Sequence, residues 1–276
     1  MKTALSVVIP IKDQWSQLQV VLNFFSMQSL SKDFYEIIVV DDGSNDDIIA
    51  QTSELLSQKY RLNINLIHQV NMGRSCARNT GVKMANGTHI VFCDGDRIPC
   101  YNFLEKYYFW IKNKKAIVGM PLDYFGTQNN LENYTLDHIK KFSRVPYYYK
   151  KTNDLFLEND TAISVWRWLG FLVGNSCIQK NLIHELGGFS TTFKEWGFEH
   201  FEFAYRMQQK GEFFFRDTSI ESYHIVHRRT SDFYNSHISK SIEIFCDLHP
   251  EMNKEKLDVF FLSKDERYNI NSLSNI

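Results

Sequence analysis

The sequence predicts an α/β domain built on a mixed, mostly parallel sheet flanked by helices. Three observations predict it. Short β-branched runs alternate with stretches of helical apolar spacing through the first 120 residues. Acid-rich turns follow two of those runs directly, at Asp41-Asp42 and Asp94-Gly95-Asp96. The composition, 43% hydrophobic and 23% charged, is that of a globular chain.

The elements follow in order. Leu5–Ile11 reads as a buried strand, and Trp15–Met27 as a helix with Leu18, Val21, Leu22 and Phe25 on one face. Glu36–Val40 is the second strand. Asp46–Tyr60 is the second helix, capped by Ser44 or Asn45 with acids in its first turn. Leu62–His68, Thr88–Phe92 and Ala116–Met120 are further strands, separated by helices over Gly73–Ala85 and Pro99–Asn113. Right-handed βαβ units of this kind place ligands beyond the carboxyl ends of the strands.

Residues 121–170 break the rhythm. Tyr147-Tyr148-Tyr149-Lys150-Lys151 and Trp166-Arg167-Trp168 either pack plainly with solvated charge or offer a face to an acceptor or a membrane surface. After a short apolar run from Phe171, helices are predicted over Lys180–Leu186 and Glu199–Lys210. Short strands follow over Glu212–Arg216 and Ser222–Val226, then an amphipathic helix over Ser236–Leu248. The stretch after Pro250 reads as polar and peripheral.

Bulk properties exclude some partners. Lysine and arginine number 31 against 32 acids, a net charge of −1, so a general nucleic-acid binder is not expected. Aromatics reach 15%, which suggests aromatic-lined surfaces without naming a ligand. No apolar run approaches ~18 residues, so no transmembrane helix is expected. The five cysteines are scattered, which argues against a disulfide framework or a zinc site. The expectation is a cytoplasmic chain with reduced thiols, peripheral at most at a membrane.

Four segments carry residues suited to chemistry. Asp41-Asp42-Gly43-Ser44 either takes the imide N–H of uracil or simply closes a βα turn. Asn71 to Asn79 opens a helix, with Gly73 for the turn and Arg78 facing an anion or a base carbonyl, or merely solvent. Asp94-Gly95-Asp96 lies 53 residues after Asp41 (94 − 41), one βαβ unit later. Its two carboxylates can hold a divalent metal that grips a diphosphate, against the alternative of an Asp-Gly turn. His224 and His227 can complete the metal shell with Asp96 and Asp94, a mixed set that suits manganese better than calcium, with magnesium as the alternative ion. Glu199 can take a proton from an acceptor hydroxyl, with His200 and Glu202 as secondary candidates, and Trp196 offers a platform for a sugar face.

Together these segments resemble an inverting glycosyltransferase of family 2, over roughly residues 4–230. The resemblance implies the GT-A, nucleotide-diphospho-sugar transferase fold. Val7-Val8-Ile9-Pro10-Ile11-Lys12-Asp13 is similar to the family's first strand, with Asp13 where asparagine is common. Asp41-Asp42 matches its uridine-binding pair, Asn71 through Gly81 its helix start, and Asp94-Gly95-Asp96 its metal-binding DxD. The second half looks closer to the β-galactosyltransferase and chondroitin-polymerase branch. There Trp196-Gly197, Gly174-Asn175-Ser176 and Gly187-Gly188-Phe189 resemble acceptor-side segments. One departure stands out: the family usually carries glutamate-aspartate at this helix, the aspartate being the base, whereas this chain has Glu199-His200.

The resemblance implies a nucleotide-sugar-binding half over 1–120, an acceptor and catalytic half over 121–230, and a helical extension over 231–276. It implies transfer of a hexose or N-acetylhexosamine from a UDP-sugar to a hydroxyl, on a glycan or a peptide side chain. Two other readings compete. A sugar nucleotidyltransferase needs a glycine-rich phosphate loop near its first strand, and Ile9 to Asp13 has no glycine. A non-catalytic carbohydrate- or nucleotide-binding module with a degenerate site is kept open by Glu199-His200.

Overall fold

A computed structural model describes residues 3–128, 131–156, 165–194, 197–227 and 231–262. Its centre is a nine-stranded mixed sheet. The first four strands are β1 (Leu5–Ile11), β2 (Tyr35–Asp42), β3 (Ile64–Gln69) and β4 (His89–Cys93), all mutually parallel. Strands β1, β2 and β4 are buried along their whole length, as expected of continuous apolar runs in a parallel sheet covered on both faces. Pro10 is tolerated in β1 because pairing with β4 ends at Val8, so its missing N–H breaks no ladder on that side.

Alternation along each strand feeds two cores. Val8, Ile38, Val40, Ile90 and Phe92 face one layer, Val7, Ile9, Ile37, Val39 and Val91 the other. The second layer also holds α1 (Trp15–Ser26), α2 (Ser53–Tyr60) and α4 (Phe103–Trp110). The first holds α3 (Arg74–Met84), α7 (Lys180–Glu185) and α8 (Glu199–Gln209).

The rest of the sheet differs from the sequence expectation. The helix expected over Asp46–Tyr60 is a 3-10 turn, Asp47–Ala50, followed by α2; the caps are Asp46 and Thr52 rather than Ser44 or Asn45. The helix expected from Pro99 gives way to a short strand β5 (Arg97–Pro99) before α4. β6 runs on to Tyr124 from Ala116. Within 121–170 lie α5 (Leu136–Lys141), β7 (Ser143–Arg144) and α6 (Tyr147–Lys151). The apolar run after Phe171 leads into a strand, β8 (Asn175–Gln179). The two short strands expected over Glu212–Arg216 and Ser222–Val226 are one, β9 (Phe215–Ile225), with a register shift opposite Val118–Met120 of β6.

The described part of the stretch after Pro250, which ends at Leu262, is not peripheral. It forms α10 (Lys254–Leu262), which packs on α9 (Ser231–Leu248) and buries Leu257 and Phe260 in the first core.

Strand direction explains where the chemistry gathers. The order is β3-β2-β1-β4-β8-β6-β9-β5. β8 runs antiparallel to both β4 and β6, and β9 runs parallel to β6. One reversed strand therefore sets β6 and β9 in the same direction as β1 to β4. The carboxyl ends of β1, β2, β4, β6 and β9 meet on one rim.

Candidate active site

The end of β2 is an anchor for two loops. Asp41 is buried; its carboxylate accepts the Ser44 N–H at 3.0 Å and faces His68 Nδ1 at 2.9 Å. Asp42 accepts Gln69 Nε2 at 2.7 Å and the N–H groups of Met72 and Gly73 at 2.9 and 2.8 Å. It thereby fixes the turn into α3, where Gly73 has φ +91°, a conformation that favours glycine. Asp13, itself left-handed at φ 53°, accepts the Asn45 N–H at 2.7 Å and donates its own N–H to Ser44 Oγ at 2.7 Å.

A buried ion network crosses the floor. Arg78 on α3 is 1% exposed and donates to Glu199 Oε1 at 2.7 Å and to Asp94 Oδ1 at 3.1 Å. Arg97 Nε lies 4.0 Å from Asp94 Oδ2. Burial works to raise the Asp94 pKa, yet the surrounding Arg78, Arg74 and Arg97 charges outweigh it and bring it down to about 2. Glu199 is 2% exposed. Burial opposes its ionisation too, but His200, whose Nδ1 is 3.7 Å away, and Arg78 hold it below the carboxylate range. The turn into α8 is strained: Gly197 has φ +90° and Phe198, a bulky residue, φ +69°.

The third group is a candidate metal centre. One ligand atom each from Asp96, His224 and His227 lies within 4.8 Å of the others. Asp96 Oδ2 is 3.7 Å from His224 Nε2 and 3.8 Å from His227 Nδ1. They meet because β5 pairs with β9, setting Arg97 opposite His224, and the Ile225 N–H donates to the Asp96 carbonyl at 2.8 Å. Two groups orient this set. Gln14 Nε2 donates to Asp96 Oδ2 at 3.0 Å, and Asp123 Oδ1 meets His224 Nδ1 at 3.0 Å, turning Nε2 toward Asp96. One carboxylate and two imidazoles make a donor set suited to a divalent transition-metal ion. Asp94 stands outside this group, turned to Arg78 and Arg97.

These parts line one open cleft of about 950 Å³. Pro10, Asp13, Asp42, Gly73, Arg78 and Asp94 border it, as do Asp96, Gly197, Glu199, His200, His224 and His227. Its far wall is apolar, with Tyr148, Phe198, Phe201, Ile238 and Phe261. Four predicted residues do not border it. Asp41 sits behind Asp42, and Gly95 is packed against Ile11, where a Cβ would come within 2.4 Å of Cγ2. Asn175 is buried between the Tyr107 hydroxyl and the Ile220 carbonyl. Glu202 is bonded to Arg206 and His249, away from the cleft. Trp196 lies outside the described residues.

Sequence reasoning missed Gln14, Arg74, Arg97 and Asp123, all on the cleft. Arg97 had a signal, its place directly after Asp96; its Nε and one terminal nitrogen are buried without a hydrogen-bond partner among the described residues. Asp123 had none, because its partnership with His224 is made by β6–β9 register.

The model of the family described as glycosyl transferase family 2 matches residues 6–173. A chondroitin synthase of Pasteurella multocida is 27% identical over 237 residues, 76% of this chain and 23% of that protein. The chain spans about a quarter to a third of the length of such curated relatives. A crystal structure of S. aureus TarS residues 1–349 with UDP-GlcNAc superposes with TM-score 0.66 at 17% identity, covering 98% of this chain and 74% of that one. The mannosyltransferase PcManGT of Pyrobaculum calidifontis, with GDP-Man and Mn2+, superposes with TM-score 0.62 at 14% identity, covering 92% and 66%. The fold these proteins share with this chain is GT-A.

Proposed function

The chain belongs to glycosyl transferase family 2, and from that premise we propose that it is an inverting, metal-dependent transferase. It moves a hexose or N-acetylhexosamine from a UDP-sugar to an acceptor hydroxyl on a glycan. The observation that carries this reading is the meeting, on one cleft, of the Asp96–His224–His227 group with the Arg78–Asp94–Glu199 network.

Residues 1–120 serve the donor and 121–230 the acceptor and the catalysis, with His224 and His227 reaching back to the donor's diphosphate end. Asp13 and Asp42 shape the nucleoside end of the cleft, beside Pro10 and Gly73. Asp96, His224 and His227 would hold Mn2+ or Mg2+, and such an ion would supply positive charge for the leaving diphosphate. The Arg74, Arg78 and Arg97 side chains add fixed positive charge beside it. The acceptor lies against the apolar wall near Gly197, and the Glu199-His200 pair takes its proton. Attack on the face opposite the diphosphate turns an α-linked donor into a β-linked product. No helix among the described residues is long and apolar enough to cross a membrane.

The test is UDP release from a panel of UDP-sugars, with Mn2+ and with chelator. Metal-dependent release from one donor supports the reading. No release, together with no rise in Tm on adding UDP and Mn2+, would sink it.

A further inference from the structure

We propose that His200 is the general base of this site and that Glu199 is a positioning residue fixed behind it; this rests on the transferase reading above. The two side chains are consecutive, but they face different surroundings. The Glu199 carboxylate is 3% exposed and is held by Arg78 at 2.7 Å. A proton placed on it would discharge a buried ion pair, and burying an unpaired guanidinium is costly. The carboxylate is ionised because it is paired, which makes it a poor acceptor for a hydroxyl proton.

Both residues border the cleft, but His200 is the more open of the two. Its side chain is 16% exposed and borders the cleft. Its Nδ1 is buried, has no hydrogen-bond partner among the described residues, and lies 3.7 Å from Glu199 Oε1. The Phe201 ring, 4.0 Å from the imidazole centroid, limits its swing. At 3.7 Å the approach of Nδ1 to Glu199 is a contact and not yet a hydrogen bond; such contacts between catalytic groups tighten into hydrogen bonds when substrate fills the site. The charged groups around the Glu199–His200 pair are Arg78 and Arg74 on α3, which act on Glu199, with Asp94 beyond Arg78.

The step balances as follows. The acceptor O–H proton passes to His200 Nε2 while the hydroxyl oxygen bonds to the anomeric carbon. The bond from that carbon to the β-phosphate oxygen breaks, and its electron pair leaves with UDP. Nδ1–H of the new imidazolium turns to Glu199, which stays ionised and stabilises it. The arrangement is a carboxylate–imidazole pair, with Arg78 setting the carboxylate.

Donor hydrolysis tests this, with water standing in for the acceptor hydroxyl. UDP release is followed against pH for His200→Ala, His200→Asp and Glu199→Gln, alongside the Tm rise given by UDP plus Mn2+. His200→Ala is expected to lose at least about 100-fold in release while keeping the Tm rise. His200→Asp restores release to within about tenfold of the wild type. Its acidic limb moves to lower pH, because a carboxylate replaces an imidazole. Glu199→Gln is expected to lose less than His200→Ala. Release by His200→Ala within about threefold of the wild type overturns the inference. So does a His200→Asp protein that stays inactive or keeps the wild-type limb, since either marks a structural role. A wild-type protein that releases no UDP and gains no Tm from UDP plus Mn2+ overturns the transferase reading itself, and the base assignment with it.

Discussion

Arg78 and Glu199, 121 residues apart in sequence, meet at 2.7 Å with both side chains almost wholly buried. The contact ties α3 to the first turn of α8. Removing one partner leaves the other charged and dry. Arg78→Met should cost about 3–5 kcal/mol. The double variant Arg78→Met, Glu199→Gln should recover part of that loss. Urea unfolding of the single and double variants measures the coupling. Additive losses would mean the pair contributes nothing specific.

The metal group should respond to its supports. Asp123 touches no metal-ligand position directly except through His224 Nδ1, at 3.0 Å. Asp123→Asn is expected to weaken Mn2+ binding by about 10- to 100-fold, read by calorimetric titration. His227→Ala should weaken it more. An unchanged Mn2+ affinity in His227→Ala would remove that imidazole from the ligand set.

Gly174 is small because Asp94 needs the room. A Cβ there would lie 2.1 Å from Asp94 Oδ2, although the backbone itself is not left-handed. Gly174→Ala should therefore push Asp94 from Arg78. UDP release is expected to fall by at least about tenfold for a stability loss of about 1–3 kcal/mol. Equal activity in the two proteins would show that the Asp94–Arg78 contact is dispensable.

His89 predicts a pH dependence of stability. It opens β4, is 7% exposed, and burial lowers its pKa from 6.5 to about 4. The neutral form is the one that folds well. Its contribution is complete above about pH 6.5, is lost as pH falls toward 4, and changes no further below that. The expected loss is on the order of 3 kcal/mol, at ~1.36 kcal/mol per unit. His89→Gln should flatten the stability curve between those two pH values, as followed by denaturant midpoints.

Much of the framework was legible because the strands that carry it are buried on both faces. Leu5–Ile11 and Glu36–Val40 read as apolar runs, and they lie inside β1 and β2, whose ends lead to Asp13 and Asp42. β8 was not legible: Asn175-Ser176-Cys177-Ile178-Gln179 is short and mixed, and it becomes a strand only because β4 and β6 lie on either side. β9 looked like two strands because Thr218 and Ser219 are exposed near its register shift. α10 hides two buried residues, Leu257 and Phe260, in a charged background. In the site, Asp96, His224 and His227 could be named from residue type and order. The Arg78–Glu199 contact could not, because neither residue signals the other until α3 and α8 are packed side by side.

The reversed strand β8 gives the molecule a working edge and an idle one. The Asp96–His224–His227 group and the Arg78–Asp94–Glu199 network stand on the first. On the second lie the turns that lead into β4 and β6, including the exposed Lys112 and Asn113 just ahead of Ala116. A tag, a label or a whole grafted module joined there would ride on the protein's back, with the sheet between it and the cleft. For an engineer the chain is thus a tool with a handle, and the handle is the loop between α4 and β6.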